Sequence, residues 1–362
     1  MKLPNPRVLP VLFLSLLAAA ACALGQDFGT VQLPADLADA SAKILGAHNI
    51  DSLDGDPDYV TYSEGPAVDA EGNLFFTENS LKIWKVPPQG PPVVFLEPSD
   101  AANGLEFDPQ GLLVACQNNK LTRFEKNGSQ TVLSATGGGT TLGAVNDLSI
   151  GSSGAMFFTN YSGNTVFYRA PGGTLKATPV PNTPNGVEWV EEKGIVLVNQ
   201  ALTLAQGGRT VKYQMAADGS LINPVTFHTV NVPDGLTLDE RGNVYVAAHG
   251  DGAVQVFDST GNPLGKITVR NANAGALGVA GNVSNCVFGG PGSRTLYMTG
   301  NGGAYKVELK VAGRKRPGTS RIARLPLRIS GLAARPRIFS VAGRDLGLRP
   351  QPIPAFPLFR SR

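Results

Sequence analysis

One unit recurs six times along the chain: a polar dipeptide, a short apolar stretch, a turn containing glycine, then a second apolar or alternating run. The copies are EGPAVDAEGNLFFTEN from Glu64, NGLEFDPQGLLVACQN from Asn103, NDLSIGSSGAMFFTNY from Asn146, NGVEWVEEKGIVLVNQ from Asn185, DGLTLDERGNVYVAAH from Asp234 and NCVFGGPGSRTLYMTG from Asn285. Their turn glycines, Gly72, Gly111, Gly154, Gly194, Gly242 and Gly292, are spaced by 39, 43, 40, 48 and 50 residues. Each half has the length of a strand and is rich in Val, Leu, Phe and Tyr. Hairpin repeats of this period are the blades of a β-propeller, so six copies predict an all-β, six-bladed propeller. Radial repetition lets each blade pack only on its neighbours, which suits a chain of 362 residues. The sixth copy has room for three strands between Asn285 and Val311. The N-terminal segment is therefore expected to close the ring with the missing edge strand. The stretch from Ala35 to Leu45 looks helical and is expected to lie outside the ring.

The ends of the chain differ from its middle. Residues 1–25 read as a secretory signal peptide: Lys2 and Arg7, an apolar run from Val8 to Ala21, then small residues. Export to the periplasm or the extracellular space is expected. Cys22 follows Ala19-Ala20-Ala21, a poor lipoprotein box, so a lipid anchor is not expected. Residues 314–362 hold twelve basic residues against one acid, Asp345, a net of +11. They read as a flexible basic, Pro/Arg-rich tail, and contact with an anionic surface polymer is its sharper reading. The propeller is assigned to 26–313, with a net charge of −10. An acidic body argues against a nucleic-acid partner. Cys116 and Cys286 fall in non-neighbouring blades and make no disulfide framework.

The leading residue precedes the turn glycine by 8 positions in copies one, two, three and five, by 9 in copy four and by 7 in copy six. Glu64, Asn103, Asn146, Asn185, Asp234 and Asn285 thus share one structural position, the start of the innermost strand. In a propeller these starts ring one mouth of the axial channel. Asn-Gly and Asp-Gly also form turns wherever they occur. Glutamate is not a favoured turn residue, however, and six convergent side-chain oxygens suit a hard cation. Calcium takes 6–8 oxygens in irregular geometry; magnesium wants an octahedron and zinc wants His or Cys. A second polar set follows the second strand of each copy: Glu78-Asn79, Gln117-Asn118, Asn160-Tyr161, Asn199-Gln200, His249 and Asn301. These are expected around the cation, where they could hold a substrate. His249 is the one histidine among them, either a general base or a polar loop residue.

These motifs, in this order over about 60–312, resemble the senescence-marker-protein (regucalcin)/gluconolactonase family of calcium-dependent six-bladed propellers. The resemblance rests on SEGP at Glu64, ANGLEFDPQG, ND at Asn146, TPNGVEW, VPDGLTLDERGNVYVA and SNCVFGGPGSRTLYMTG. It implies metal ligation by Glu64, Asn185 and Asp234. Asn146 matches a residue that binds metal in some members and lactone in others, and Asn103 is a candidate substrate contact. The basic tail departs from the family pattern.

The expected activity is calcium-dependent hydrolysis of a sugar lactone such as gluconolactone. The metal polarises the carbonyl, Asp234 acts as general base, and His249 is the alternative base through a water. Two rival readings use the same site: phosphotriester or aryl-ester hydrolysis, and a non-enzymatic sugar-binding or scaffold propeller with structural calcium.

Overall fold

A computed structural model describes residues 27–47, 62–78, 81–136, 141–203, 207–270 and 282–318. They form six antiparallel sheets arranged as a six-bladed β-propeller. The innermost strands are Ser63–Val68, Ala102–Phe107, Val145–Ile150, Thr183–Val190, Pro233–Leu238 and Val283–Gly289. Each packs against the innermost strand of the next blade, and the sixth packs against the first. The ring is therefore closed.

Closure comes from the N-terminal segment, as the short sixth copy requires. Leu45–Gly46 pairs with Gly303–Glu308, setting Leu45 opposite Lys306, and becomes the outer strand of blade six. The same segment also does something the repeat count does not foresee. Gly29–Gln32 pairs with Pro263–Val269 and gives blade five a fifth strand.

The expectation of a helix over Ala35–Leu45 is not met. The segment runs through turns, and Leu37, Ala38 and Ile44 are buried with Phe28, Tyr245 and Met298 in the core shared by blades five and six. Its apolar residues seal a blade seam. Removing each large side chain from water there is worth about 1.5–3 kcal/mol.

The repeat turns explain their own sequence. Oδ1 of Asp69, Asp108 and Asp239 each accepts two backbone N–H groups from the turn that follows. The glycine closing each turn has positive φ, 86° at Gly72 and 83° at Gly242, a conformation costly for other residues. Cys116 and Cys286 are free, buried thiols in blades two and six.

The leader at 1–25, Cys22 and the basic segment beyond Gly318 lie outside the described residues. Residues 314–318 do not. The backbone of Gly313 bridges Asp239, Arg314 N donates to Leu238 O, and the half-buried Arg316 side chain reaches Glu106 and Glu188 on the inner strands. The propeller's own contacts thus continue past Gly313, where the sequence places the start of the tail.

Candidate metal site at the propeller mouth

The six leading residues sit at the second or third position of their innermost strands, all at one end of the ring. In every blade the pairing with the second strand shifts register at that point. Such bulges re-aim side chains, here at the mouth of the channel.

Convergence explains the glycine that follows in four copies. A Cβ on Gly235 would lie 1.9 Å from Cγ of Asn285, and one on Gly186 2.3 Å from the Asp234 carbonyl oxygen. Neighbouring strands approach too closely for a side chain at these positions. The recurring dipeptide therefore reflects close approach of strands as well as turn preference.

Cross-blade hydrogen bonds hold the leading residues in place. Thr77 Oγ1 donates to Asn103 O over 3.1 Å, Thr159 Oγ1 to Asn185 O over 2.7 Å, and Asn199 Nδ2 to Asp234 O over 2.6 Å. In each case the second strand of one blade braces the leading residue of the next. Behind Asn199 the chain continues: its Oδ1 accepts from Thr210 Oγ1 at 2.6 Å, and that oxygen lies 2.8 Å from His228 Nε2. With the Thr210 hydroxyl donating to Asn199, His228 supplies the Nε2 proton.

The site is acidic and partly buried. Asp234 is 7% exposed and Asp147 8% exposed, while Glu64 is half-buried. Burial raises the proton affinity of Glu64, and the neighbouring Asp147 raises it further; Tyr62, whose hydroxyl donates to Glu64 Oε1 over 3.1 Å, opposes this. Burial likewise pushes Asp234 well above the usual carboxylate range, reinforced by Glu64 and Asp147 and opposed by a hydrogen bond from Asn185. Asp147 is pushed up to about 6 by burial, against the pull of the Leu148 N–H. Asn285 Nδ2 reaches Asp147 Oδ2 at 3.4 Å. Among the described residues neither Glu64 nor Asp234 forms a salt bridge.

The structure thus unites Glu64, Asn185, Asp234 and Asn285 with one acid that sequence reading passed over. Asp147 stands where four other copies have glycine, and that exception was its signal. Asn103 and Asn146 are half-buried at the same level of the ring. Tyr62 is a second addition: its hydroxyl donates to Glu64, and its ring lies edge-on to that of His249, 6.3 Å from centroid to centroid.

In the second polar set, four members spend side-chain groups on the protein itself, while Asn118 and Tyr161 are exposed and Asn301 is half-buried. Gln117 Nε2 donates to Ser99 O, Asn160 Oδ1 accepts from Gly163 N, Asn199 braces Asp234, and Gln200 Nε2 donates to the Tyr213 hydroxyl. All four are buried. Glu78 accepts from Trp84 Nε1 over 2.7 Å. Asn79 lies outside the described residues. His249 and Asn301 are both half-buried beside Tyr62, which donates to Glu64.

The donors suit a hard divalent cation. No group of three or more His, Cys, Asp or Glu among the described residues forms a metal cluster unaided. Carboxylates and amide oxygens must act together, as calcium tolerates. Arg316 partly offsets the charge of Asp147, whereas Glu64 and Asp234 have no basic partner, and their repulsion is the strain a cation relieves.

The family profile described as SMP-30/gluconolactonase/LRE-like region matches residues 62–301, spanning every blade. The chain belongs to the SMP-30/gluconolactonase/LRE-like family. Within it, the chain is 25% identical over 241 residues to lactonase drp35 of Staphylococcus aureus strain MW2, covering 59% of this chain and 72% of that protein. The match to lactonase drp35 of Staphylococcus haemolyticus is 27% identical and spans 37% of this chain and 44% of that one. A gluconolactonase structure from Xanthomonas campestris superposes with a TM-score of 0.67 at 22% identity, over 79% of this chain and 96% of that one. The calcium-binding regucalcin of Agrobacterium tumefaciens superposes at 0.60 and 17% identity, over 76% and 98%. These two likenesses establish the shared propeller fold.

Proposed function

We propose that this SMP-30/gluconolactonase/LRE-like protein is a divalent-cation-dependent lactonase, with calcium as the favoured ion and a sugar lactone as the substrate class. The observation that carries the reading is the meeting of Glu64, Asp234 and Asp147 with Asn185 at one channel mouth, without a basic side chain paired to Glu64 or Asp234. The lactonase and gluconolactonase names of its relatives support the reaction class.

Glu64, Asn185 and Asp234 would hold the cation, with Asn146 beside them. When bound, the ion supplies Lewis acidity toward the lactone carbonyl, worth several kcal/mol of charge stabilisation. Asp234 takes the proton of the attacking water. Its backbone is fixed by Asn199 and its carboxylate is oriented by Asn185, so it presents a defined lone pair. General-base help of this kind contributes ~10²–10⁴-fold. Burial lowers the proton affinity of His249, whose ring sits edge-on to Tyr62 at 6.3 Å, and His249 acting through a water is the alternative base. Asn103 is placed to contact a substrate hydroxyl.

The test is a panel of aldonolactones, aryl esters and a phosphotriester, assayed on the protein with calcium and with excess chelator. The expected result is lactone turnover that chelation abolishes and calcium restores. Undiminished turnover in chelator would sink the metal assignment, and preference for the phosphotriester would move the chain to the rival class.

A further inference from the structure

The end of the channel opposite the mouth is built from groups that no part of the lactonase reading uses. Glu106 and Glu188 lie on the innermost strands of blades two and four, each three residues beyond a leading asparagine, and both are buried. Three strand residues put them roughly 10 Å below the mouth. Two buried carboxylates facing one narrow channel are costly unless a cation joins them.

The chain brings that cation from beyond the sixth blade. After its last strand, Gly303–Glu308, it crosses beneath the ring: Glu240 N donates to Ala312 O, Arg314 N to Leu238 O, and Gly318 comes to rest against Phe107 and Asp108. This path carries Arg316 under the axis. Its Nη1 donates to Glu106 Oε1 over 3.0 Å, and its Nη2 donates to Glu188 Oε2 and, over 3.3 Å, to Thr237 Oγ1. Arg314 donates to the other oxygen of Glu188 and to Trp189 O. One guanidinium thus ties blades two, four and five together. The small axial cavity is lined by Asp147 and Asn285 toward the mouth and by Arg316 at the other end.

We infer that Arg316 is a built-in counter-cation that closes the channel floor, cross-links three blades and leaves a charge-neutral floor beneath the cation site. Two arginines balance the two buried glutamates there, and Arg314 also meets the exposed Glu192 at 3.5 Å. The mouth is then the entrance for ion and substrate, and the charge of the mouth acids alone attracts the ion.

The test compares the protein with Arg316→Met and with the charge-balanced pair Arg316→Met/Glu106→Gln. In excess chelator, R316M should melt about 10 °C lower, from an unpaired buried carboxylate, and the paired variant should recover at least half of that loss. R316M as stable as the parent, or a paired variant no better than R316M, overturns the inference. Where R316M is not recovered folded, recovery of the paired variant supports the inference, and loss of both overturns it. The melting comparison does not depend on the mouth binding any metal. A parent that binds no calcium would defeat the functional reading and leave the floor assignment to be decided by melting.

Discussion

The side-chain amide of Asn199 in blade four holds the backbone carbonyl of Asp234 in blade five at 2.6 Å. Asn199 is wholly buried, and its own oxygen is fixed by Thr210, so the position of Asp234 is set by the neighbouring blade. Replacing Asn199 by alanine should lower kcat about tenfold and weaken calcium binding by a similar factor. Loss of one buried hydrogen bond, about 1–3 kcal/mol, is the cause. Steady-state kinetics beside a calcium titration would show it; unchanged values in both would mean that Asp234 needs no such brace.

Asp234→Asn should separate function from stability. Turnover should fall at least 10²-fold, since the proton acceptor is gone. In chelator the same variant should melt about 3 °C higher than the parent, because one of three mutually repelling buried carboxylates is neutral. Glu64→Gln should behave likewise. A lower melting point for both in chelator would contradict the strain assigned to the mouth.

His228 gives the fold a pH dependence of definite sign. Its ring stacks on Phe257 at 3.7 Å, and burial lowers its pKa to about 4. In the unfolded chain it returns to about 6.5. The unfolded state then binds the proton more readily, so this contribution is complete above pH 6.5 and is lost as the pH falls toward 4. Relative to His228→Gln, the parent should lose up to about 3 kcal/mol of stability between pH 7 and pH 4. Parallel stability curves for the two proteins would refute the assignment.

The end of the chain should show a sharp boundary. Ending the protein after Gly318 should leave its melting temperature close to that of the full chain. Ending it after Gly313 removes Arg314 and Arg316 and should cost about 10 °C or more. Calorimetry of the two truncated forms distinguishes a structural segment from the start of a tail.

Gly235→Ala probes the crowding of the inner strands. Its Cβ would meet Asn285 at 1.9 Å, so Asn285 must move from its contact with Asp147. Calcium affinity should drop several-fold, with a stability loss of about 1–3 kcal/mol.

Much of this architecture was legible because a propeller writes itself into its sequence. The same dipeptide, turn and strand recur at each blade, so the offset from Glu64 to Gly72 could be matched against that from Asp234 to Gly242. What escaped was whatever the repeat does not repeat. Asp147 breaks the dipeptide, and Tyr62 precedes it. Gln117, Asn160, Asn199 and Gln200 have the right place in the repeat, yet their amides bond to the protein itself, in Asn199's case to the next blade, which sequence spacing cannot distinguish from facing a ligand. The floor pairs were the least visible, since Arg316 meets Glu188 and Glu106 across 128 and 210 residues. Its composition resembled the basic stretch that follows it. The apolar spacing of Ala35–Leu45 suggested a helix because a seam between blades also wants apolar side chains at irregular intervals.

The strand Leu45–Gly46, whose partner is Gly303–Glu308, also fixes an order of events in biosynthesis. The first piece of the last blade leaves the ribosome before any whole blade has formed, and it waits unpaired until the rest of that blade emerges. Neighbouring blades can assemble as they are made, whereas the clasp can engage only near the end of translation. Pairing across so long a stretch of chain is intrinsically slow, so joining the two ends is the natural bottleneck of folding, and an unclasped chain with a bare blade edge is the species most exposed to aggregation.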